Sequence, residues 1–427
     1  MKNEFIVSRK FKAGALQYAI FISFVISSIL LSFIVYRGLR MRHIQIELDY
    51  FKKSNDLESA LVVFLSNPAK YHNSKFLTID VYNDSTSLVQ MHKQAWGIWD
   101  IIKASIKYRD MTLEKSIIAG KDAFNGDSIA LWVPDYSQTI YASGNTIIKG
   151  NAYLPVNKIQ KASIEGSPFP DAEVVKGKIT PSSKVLFDIA TSLKEKITFW
   201  QDNDSLVQMS ENVFNINDNQ IEGSLTIPTK IYYSERTFQL SGIKAKNNIA
   251  FLSPSTIFIK KDAMLDHIIV SAHKVLIEDG FKGIIQVIAQ DSVIVGKDCI
   301  LEFPSAILVN NQDVSPTYVE IGSKSRLEGV IIVTQENQST KEPFLNIEHQ
   351  AIINGEVYIK GSLQLQGIIQ GSLNCKGFFL KTKKAYYNNH LLDNEINFYS
   401  LHKEYGGIDF KNGYCDQILA FLEERMY

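Results

Sequence analysis

Five glycines punctuate the stretch NGEVYIKGSLQLQGIIQGSLNCKG, residues 354–377, and glycine lets backbone N–H groups approach a bound phosphate. They are Gly355, Gly361, Gly367, Gly371 and Gly377. A phosphate-binding loop connects a strand to a helix, whereas here the alternation of apolar residues continues through the glycines. The stretch therefore predicts consecutive strands rather than a nucleotide site.

Carboxylates are the next residues that could carry chemistry. Asp279, Asp291 and Asp298 come closest to a cluster, and enzymes that cleave glycosidic bonds need two carboxylates on one surface. Asp279 and Asp298 lie in turn-like sequence, which predicts solvated turn residues. Glu348 and His349 form an isolated pair, and the sequence has no GxSxG, HExxH, GKS or GKT motif. We therefore expect no catalytic residues and no enzyme.

The cysteines do not suggest a metal or redox site. Cys299, Cys375 and Cys415 are far apart, and the chain has no CxxC pair, so a zinc ribbon is not expected. Either all three are buried thiols, or Cys375 and Cys415 form a disulfide in an oxidising compartment. We expect neither a metal nor a cofactor.

The composition is that of an ordered, electrically neutral protein. The chain has 427 residues, of which 45% are hydrophobic and 21% charged, which allows an ample core. Lys and Arg together number 45, as do Asp and Glu. Because phosphate backbones attract an excess of basic residues, nucleic acid is not an expected partner.

The amino terminus predicts a membrane anchor. Residues 1–14 form a basic leader, and residues 15–36 carry no charge. Twenty-two residues in a helix suffice to cross a bilayer once. Arg37, Arg40 and Arg42 follow directly, so basic residues lie on both sides and the positive-inside rule does not decide the orientation.

The junction at Gly14 resembles the prepilin signal of type IV pilins and type II secretion pseudopilins. In those proteins a basic leader ends at a glycine, cleavage follows it, and an apolar helix begins. The resemblance implies cleavage after Gly14. Most pilins carry a glutamate five residues further on, where this chain has Ala19, a departure shared by large minor pilins and tip pseudopilins. The alternative is a plain anchor followed by a stalk.

Helical spacing continues past the anchor and predicts a helical stalk over residues 37–68. Apolar residues recur at steps of three or four, which is typical of one helix face. They are Ile44, Leu48, Phe51, Leu57, Leu61 and Phe64. A long helix whose second half lies on a sheet is the pilin layout.

Short β-favouring segments separated by turn residues predict an antiparallel sheet over residues 70–145. Its tryptophans Trp96, Trp99 and Trp132 are expected to pack in or on the sheet. Residues 146–244 are interpreted as a connector with one short helix that contributes early strands to the region that follows.

A repeat of paired apolar residues begins near residue 257. Its six pairs follow one another at steps of 18, 18, 26, 26 and 18 residues, and alternation inside each pair indicates strands. The pairs are Ile257 and Ile259, Val275 and Ile277, Val293 and Val295, Val319 and Ile321, Leu345 and Ile347, and Leu363 and Leu365.

This period predicts a mainly β protein with some α-helix, whose residues 245–381 form a parallel β-helix with the pairs as its core. The right-handed form is favoured because the aliphatic residues alternate in pairs instead of recurring every sixth position. Glycines are predicted to lie at the corners of its turns. They are Gly329, Gly355, Gly361, Gly367 and Gly371. Residues 382–427 are predicted to form a cap ending in a helix.

Rungs of 18 residues resemble those of bactofilins, the polymer-forming scaffold proteins of bacteria. Together with the anchor, they predict a single-pass structural or assembly protein of the bacterial inner membrane, minor-pilin-like and without catalysis. Its large domain is expected to be periplasmic or extracellular, and its partners to be proteins or further copies. Two alternatives are a carbohydrate-binding or carbohydrate-active β-helix and a bactofilin-like cytoskeletal scaffold.

Overall fold

A computed structural model describes residues 14–67, 76–83, 85–124, 128–156, 159–168, 173–209, 213–214, 219–337, 341–403, 405–408, 410 and 418–426. The helices are α1 (Gly14–Ser66), α2 (Thr191–Gln201) and α3 (Asn203–Met209), with a short 3-10 helix at Phe398–Ser400. The predicted long amino-terminal helix is thus confirmed. It continues unbroken from the apolar segment through the stalk.

Of the strands, several short ones alternate in burial, as expected where one side faces a core, whereas the long ones contain runs of consecutive buried residues because both of their sides are covered. In chain order they are β1 (Phe76–Asp80), β2 (Leu88–Trp96), β3 (Trp99–Tyr108), β4 (Met111–Asp122), β5 (Ile129–Trp132), β6 (Ile140–Ser143), β7 (Ile147–Lys149), β8 (Asn151–Leu154), β9 (Ile159–Lys161), β10 (Val175–Lys176), β11 (Ile179–Pro181), β12 (Val213–Phe214), β13 (Gln220–Glu222), β14 (Lys230–Tyr233), β15 (Phe238–Leu240), β16 (Lys244–Ile259), β17 (Met264–Ile277), β18 (Lys282–Val295), β19 (Ile300–Asn311), β20 (Tyr318–Ile321), β21 (Arg326–Gln335), β22 (Phe344–Ile347), β23 (Ile352–Leu365), β24 (Ile368–Lys381), β25 (Tyr386–Asn388), β26 (His390–Leu392), β27 (Glu395–Asn397), β28 (Gly406–Gly407) and β29 (Ile418–Met426).

The predicted antiparallel sheet is confirmed, with a different carboxyl-terminal limit. Strands β1 to β4 pair in sequence order, and β28 and β29 both pair with β4. This sheet, called sheet A, ends at Asp122 along the continuous chain, short of the predicted limit at residue 145. Strand β5 belongs instead to the parallel sheet, where it pairs with β24 and β8.

The prediction of a carboxyl-terminal helix is wrong. Residues 418–426 form β29, antiparallel to β4, with Ile418 opposite Lys121 and Met426 opposite Glu114. Without β29, strand β4 would present an open edge over residues 114–121, and pairing with β4 overrides the helix propensity of a segment rich in Leu, Glu, Arg and Met.

Strands β15 to β24 form a long parallel stack in which the predicted apolar pairs lie in register. Ile257 is opposite Val275, and Val275 is opposite Val293. The same column continues through Val319 to Leu345 and Leu363. All twelve residues of the six pairs are buried: Ile257, Ile259, Val275, Ile277, Val293, Val295, Val319, Ile321, Leu345, Ile347, Leu363 and Leu365.

The spatial order of the stack differs from the order along the chain. Strands β12 to β15 lie at its beginning, as the prediction for the connector allowed. Strands β5, β7, β8, β10 and β11 lie at the opposite end, beyond β24 and β27. In sequence order, the strands at the β24 end of the stack come first, and α2 and α3 then lead the chain to the β12 end. The edge of β24 is therefore covered by β5, which precedes it in the sequence.

Three of the predicted corner glycines form a column. Gly329, Gly355 and Gly371 are opposite one another in β21, β23 and β24, with φ of +145°, +151° and +149°. A Cβ on Gly355 would lie 1.8 Å from the carbonyl oxygen of Gly329. Gly361 and Gly367 also meet backbone closely, since their Cβ atoms would lie 2.0 and 2.2 Å from carbonyl oxygens of Pro343 and Ala351.

We expect Gly355→Ala to lower the free energy of unfolding by about 3–5 kcal/mol, because it combines backbone strain with overpacking between neighbouring strands. Gly280→Ala is the matched control. Gly280 also has positive φ, at +79°, but a Cβ added there would have no atom within 4 Å, so only about 1 kcal/mol is expected. Denaturant unfolding of the detergent-solubilised chain measures both, and equal losses would contradict the close-approach argument.

Candidate functional site

The amino-terminal part of α1 is an exposed apolar helix. Gly14 is the first residue of α1, and residues 1–13 of the predicted leader lie outside the described residues. Large side chains from Leu16 to Tyr36 are exposed on all sides of the helix. By length and composition this helix can cross a membrane.

The carboxyl-terminal part of α1 packs on sheet A. Leu57, Ala60, Leu61 and Phe64 are buried there. One helix therefore joins an exposed apolar segment to a folded sheet. The cluster around these four residues includes Val89, Met91, Ile102, Ala104, Ile106, Leu113 and Ile117 from the facing strands.

A buried carboxylate fixes this contact. Asp56 is fully buried and accepts hydrogen bonds from Ser87 Oγ at 2.5 Å and Tyr82 Oη at 2.9 Å. Lys53 Nζ lies 3.6 Å from the same carboxylate and also donates to the Thr86 carbonyl oxygen at 3.2 Å. Because a buried charge must be compensated, these groups define the rotation of α1 on the sheet.

Apolar residues of the stalk divide between two faces of α1. Leu57, Leu61 and Phe64 contact sheet A, whereas Leu48 and Phe51 are 62% exposed. At about 100° per residue, the two groups lie about 140° apart around the helix. The sequence prediction of one periodic stalk did not distinguish these faces.

Sheet A docks on the parallel stack through the turn between β2 and β3. Gln286 Oε1 accepts from the Ile98 N–H at 2.9 Å, and its Nε2 donates to the Trp96 carbonyl at 3.2 Å. Gly97, between them, has φ of +59°, and a Cβ there would lie 1.8 Å from Gln286 Oε1. Trp96 and Trp99 are buried, in agreement with their predicted packing role.

An ion pair network reinforces the same junction. Asp100 Oδ1 lies 2.7 Å from Lys196 Nζ of α2, and Asp100 Oδ2 lies 3.2 Å from Lys93 Nζ. Lys196 also donates to the Ile98 carbonyl at 3.0 Å. Burial opposes ionisation of Asp100, but Lys196 and Lys93 outweigh it and hold its pKa below the ordinary value.

The three aspartates proposed from the sequence, Asp279, Asp291 and Asp298, do not form one cluster of carboxylates. Asp279 accepts from the Lys297 N–H at 2.8 Å within exposed turns, and Asp298 occupies the next turn with φ of +54°. Asp291 lies at a different bend, where it accepts from Ser292 Oγ at 3.0 Å. Among the described residues, no group of three His, Cys, Asp or Glu side chains could hold a metal ion.

The described cysteines are buried. Burial raises the pKa of both thiols, and Cys375 lies in the core of the parallel stack. Cys299 donates to the Glu278 carbonyl at 3.2 Å. Cys415 lies outside the described residues, so the alternative of a disulfide between Cys375 and Cys415 stays untested.

Sequence reasoning missed the residues that join the parts of the molecule. Asp56, Gln286 and Asp100 belong to no motif, and the partners of the first two lie 31 and 188 positions away in the chain. The only available signal was a polar residue within an apolar pattern, as with Asp56 just before Leu57 and Gln286 between Ile285 and Val287.

Comparisons with known proteins identify no family. No family model matches the chain, and no curated protein matches it. Among solved structures, the chain is similar to the competence-associated pilin ComZ from Thermus thermophilus, at 7% sequence identity and a TM-score of 0.20, covering 82% of this chain and 88% of that chain. A similarity at this level does not establish a common fold.

We expect Asp56→Ala to cost about 2–3 kcal/mol and to release α1 from sheet A, since Ser87 and Tyr82 lose a charged acceptor. Hydrogen exchange of the amides in residues 57–65 measures this release. Asp49→Ala, on an exposed part of the same helix, is the control. Unchanged protection in Asp56→Ala would contradict an anchoring role.

The Asp100 network predicts a dependence of stability on pH. Since the folded pKa lies below the ordinary value of 3.8, the stabilisation is present above that value and is lost as pH falls through the folded pKa. Asp100→Asn should be less stable than the parent by about 2 kcal/mol at pH 7, and the difference should shrink as pH falls below 3.8 and through the folded pKa of Asp100. Thermal unfolding across pH measures it, with the exposed Asp110→Asn as control. A difference that persists in acid would show that charge is not its cause.

Proposed function

We propose that the chain is a membrane-anchored structural or assembly protein of the bacterial cell envelope, with a pilin-like amino-terminal part and no catalytic role. The difference in exposure between the two parts of α1 supports this proposal most directly. Its first part is apolar and exposed on all sides, while its second part is held on an antiparallel sheet. A bilayer is the environment that such a segment requires.

We infer that the parallel stack is a β-helix that presents surface at a distance from the membrane. The in-register return of six apolar pairs after 18 or 26 residues supports one turn of chain per rung. The right-handed form and the resemblance to bactofilins remain predictions, and an experimental density map of the stack would test the handedness.

A row of aromatic rings on the stack favours carbohydrate binding as a second candidate function. The ring centroids of Tyr318 and Phe344 are 6.1 Å apart, those of Phe344 and Phe379 5.8 Å, and those of Phe379 and Tyr386 5.8 Å. The Tyr318–Phe344 and Phe379–Tyr386 contacts are stacked, so these rings partly cover one another, and Tyr386 is the exposed ring whose free face could pack against the apolar face of a sugar. A glycan array with the parent chain and Tyr386→Ala tests this candidate, and absence of binding by the parent would exclude it.

Cleavage after Gly14 is the sharpest test of the pilin-like part. We expect mass spectrometry of the chain from its native membrane to find Ala15 at the amino terminus, because the leader resembles a prepilin signal. Gly14→Val should retain the leader, whereas Gly38→Ala, at a helical glycine with open space around it, should be processed normally. An intact residue 1 in the parent chain would contradict pilin-like processing.

Topology separates the proposal from a cytoskeletal scaffold. A reporter that is active only in the periplasm, fused after Tyr427, should be active, since the proposed large domain lies outside the inner membrane. The control carries the same reporter on a chain that lacks residues 1–36 and should be inactive. An inactive reporter on the full chain would favour the bactofilin-like alternative.

A further inference from the structure

The second face of α1 carries an apolar row that no part of the described chain covers. We call it the outer seam and define it by Met41, Ile44, Leu48 and Phe51. Their exposed fractions are 60%, 40%, 62% and 62%. Four large apolar side chains in one row are more than the isolated exposed residues of an ordinary surface, so the outer seam marks an interaction surface.

The outer seam is accessible while sheet A stays in place. Tyr108 Oη donates to the Ile46 carbonyl at 2.9 Å, and the Tyr50 and Tyr108 rings are 6.1 Å apart, so Ile46 and Tyr50 mark the side that faces the sheet. The outer seam lies about 160° from them around the helix. A partner can therefore lie along it without displacing the sheet.

The spacing of the outer seam is that of a coiled coil. Its steps of three, four and three residues place Met41 and Leu48 at positions a, and Ile44 and Phe51 at positions d, of the heptad abcdefg. The next position a is Asn55, which is exposed. A single asparagine at position a specifies register and a defined number of strands in a parallel coiled coil.

The residues beside the outer seam are compatible with a second copy of the same helix. Positions g hold Arg40 and Glu47, and both are exposed. Positions e hold Gln45 and Lys52, which are exposed as well. In a parallel pair each g residue meets the e residue five positions later in the partner. Glu47 would then meet a lysine on each side of the pair, and Arg40 a neutral amide, so no two like charges face each other.

The second carboxylate oxygen of Glu47 can accept a bond from Lys52 of a second copy. Its Oε1 lies 3.3 Å from His43 Nε2 in its own helix, which leaves Oε2 for Lys52 of a second copy. A carboxylate accepts hydrogen bonds at both oxygens, so the two contacts are compatible.

We propose that a second copy of this chain covers the outer seam, so that residues 40–55 of two α1 helices form a parallel two-stranded coiled coil. The inference rests on the proposed function in one respect: a common membrane anchor holds the helices parallel and raises their effective concentration. In the same heptad frame the preceding position d is Arg37, where the charges of two copies would repel, so the proposed coiled coil begins after it, at residue 40.

Cysteine crosslinking of the full-length chain in its native membrane tests the contact. In a Cys415→Ser background, Leu48→Cys places a thiol on the outer seam, and its neighbour Asp49→Cys places an exposed thiol outside it. We expect mild oxidation to give a product of twice the monomer mass at least tenfold more efficiently for Leu48→Cys. A product of another mass, equal crosslinking of both variants, or no crosslinking at Leu48→Cys would overturn the proposal.

Charge reversal tests the parallel register. Glu47→Lys places two lysines opposite one another on both sides of a symmetric pair and should reduce crosslinking at Leu48→Cys about tenfold. Glu47→Lys combined with Lys52→Glu restores opposite charges and should restore crosslinking. Asp49→Lys makes the same change of charge outside the outer seam and should leave crosslinking unchanged. Failure of the rescue would overturn the pairing of Glu47 with Lys52 of the other copy.

Membrane retention after alkaline extraction separates the two proposals. A chain that is retained but not crosslinked contradicts the coiled coil and leaves the anchor intact. A chain that is lost from the membrane fraction contradicts the proposed anchor. Crosslinking of the same chain in detergent micelles then decides whether the two helices associate by themselves.

Discussion

Backbone hydrogen bonds between parallel strands are the constraint on which the architecture depends. Each strand of the stack satisfies its N–H and C=O groups through the strands on either side, so neither end of the stack can be left open without exposing an edge. The column of Gly329, Gly355 and Gly371 shows how close this approach is, since each carbonyl occupies the space of the next Cβ. The end beyond β24 is covered by β5, which precedes the long parallel strands in the sequence, and by β27, which follows them.

The outer surface of the parallel strands must also be covered. Ile288, Leu308 and Ile332 form a buried column outside the inner core, so another layer must cover them. The α2 helix and the turn between β2 and β3 supply that layer, and Lys196 joins them by bonding to Asp100. Sheet A is therefore held to the stack by apolar packing and by compensated charge, and the stalk part of α1 that it carries is fixed with it.

Regular spacing made part of this fold predictable. The pairs from Ile257 to Leu365 were visible because alternation and a nearly constant turn length leave a period in the sequence. Strand β29 was not predictable, because ILAFLEERM suits a helix or a strand and its partner β4 begins about 300 residues earlier. The contacts of Asp56 and Gln286 were equally hidden, since a polar residue in an apolar segment shows that a partner exists but not where the fold places it.

The spacing of six residues between Phe51 and Leu57 places the apolar residues of the stalk on two different faces of α1. Sheet A alone could bury a single apolar row on the helix. This spacing instead moves the row about 120° around the helix, so the upper residues, which form the outer seam, stay exposed. Exposure of each such side chain costs about 1.5–3 kcal/mol relative to burial, so the helix is more stable where the upper row is covered. A bilayer favours an apolar surface on all sides, whereas Arg40, Glu47 and Lys52 border this row with charge. That pattern favours a second charged helix over lipid as its cover.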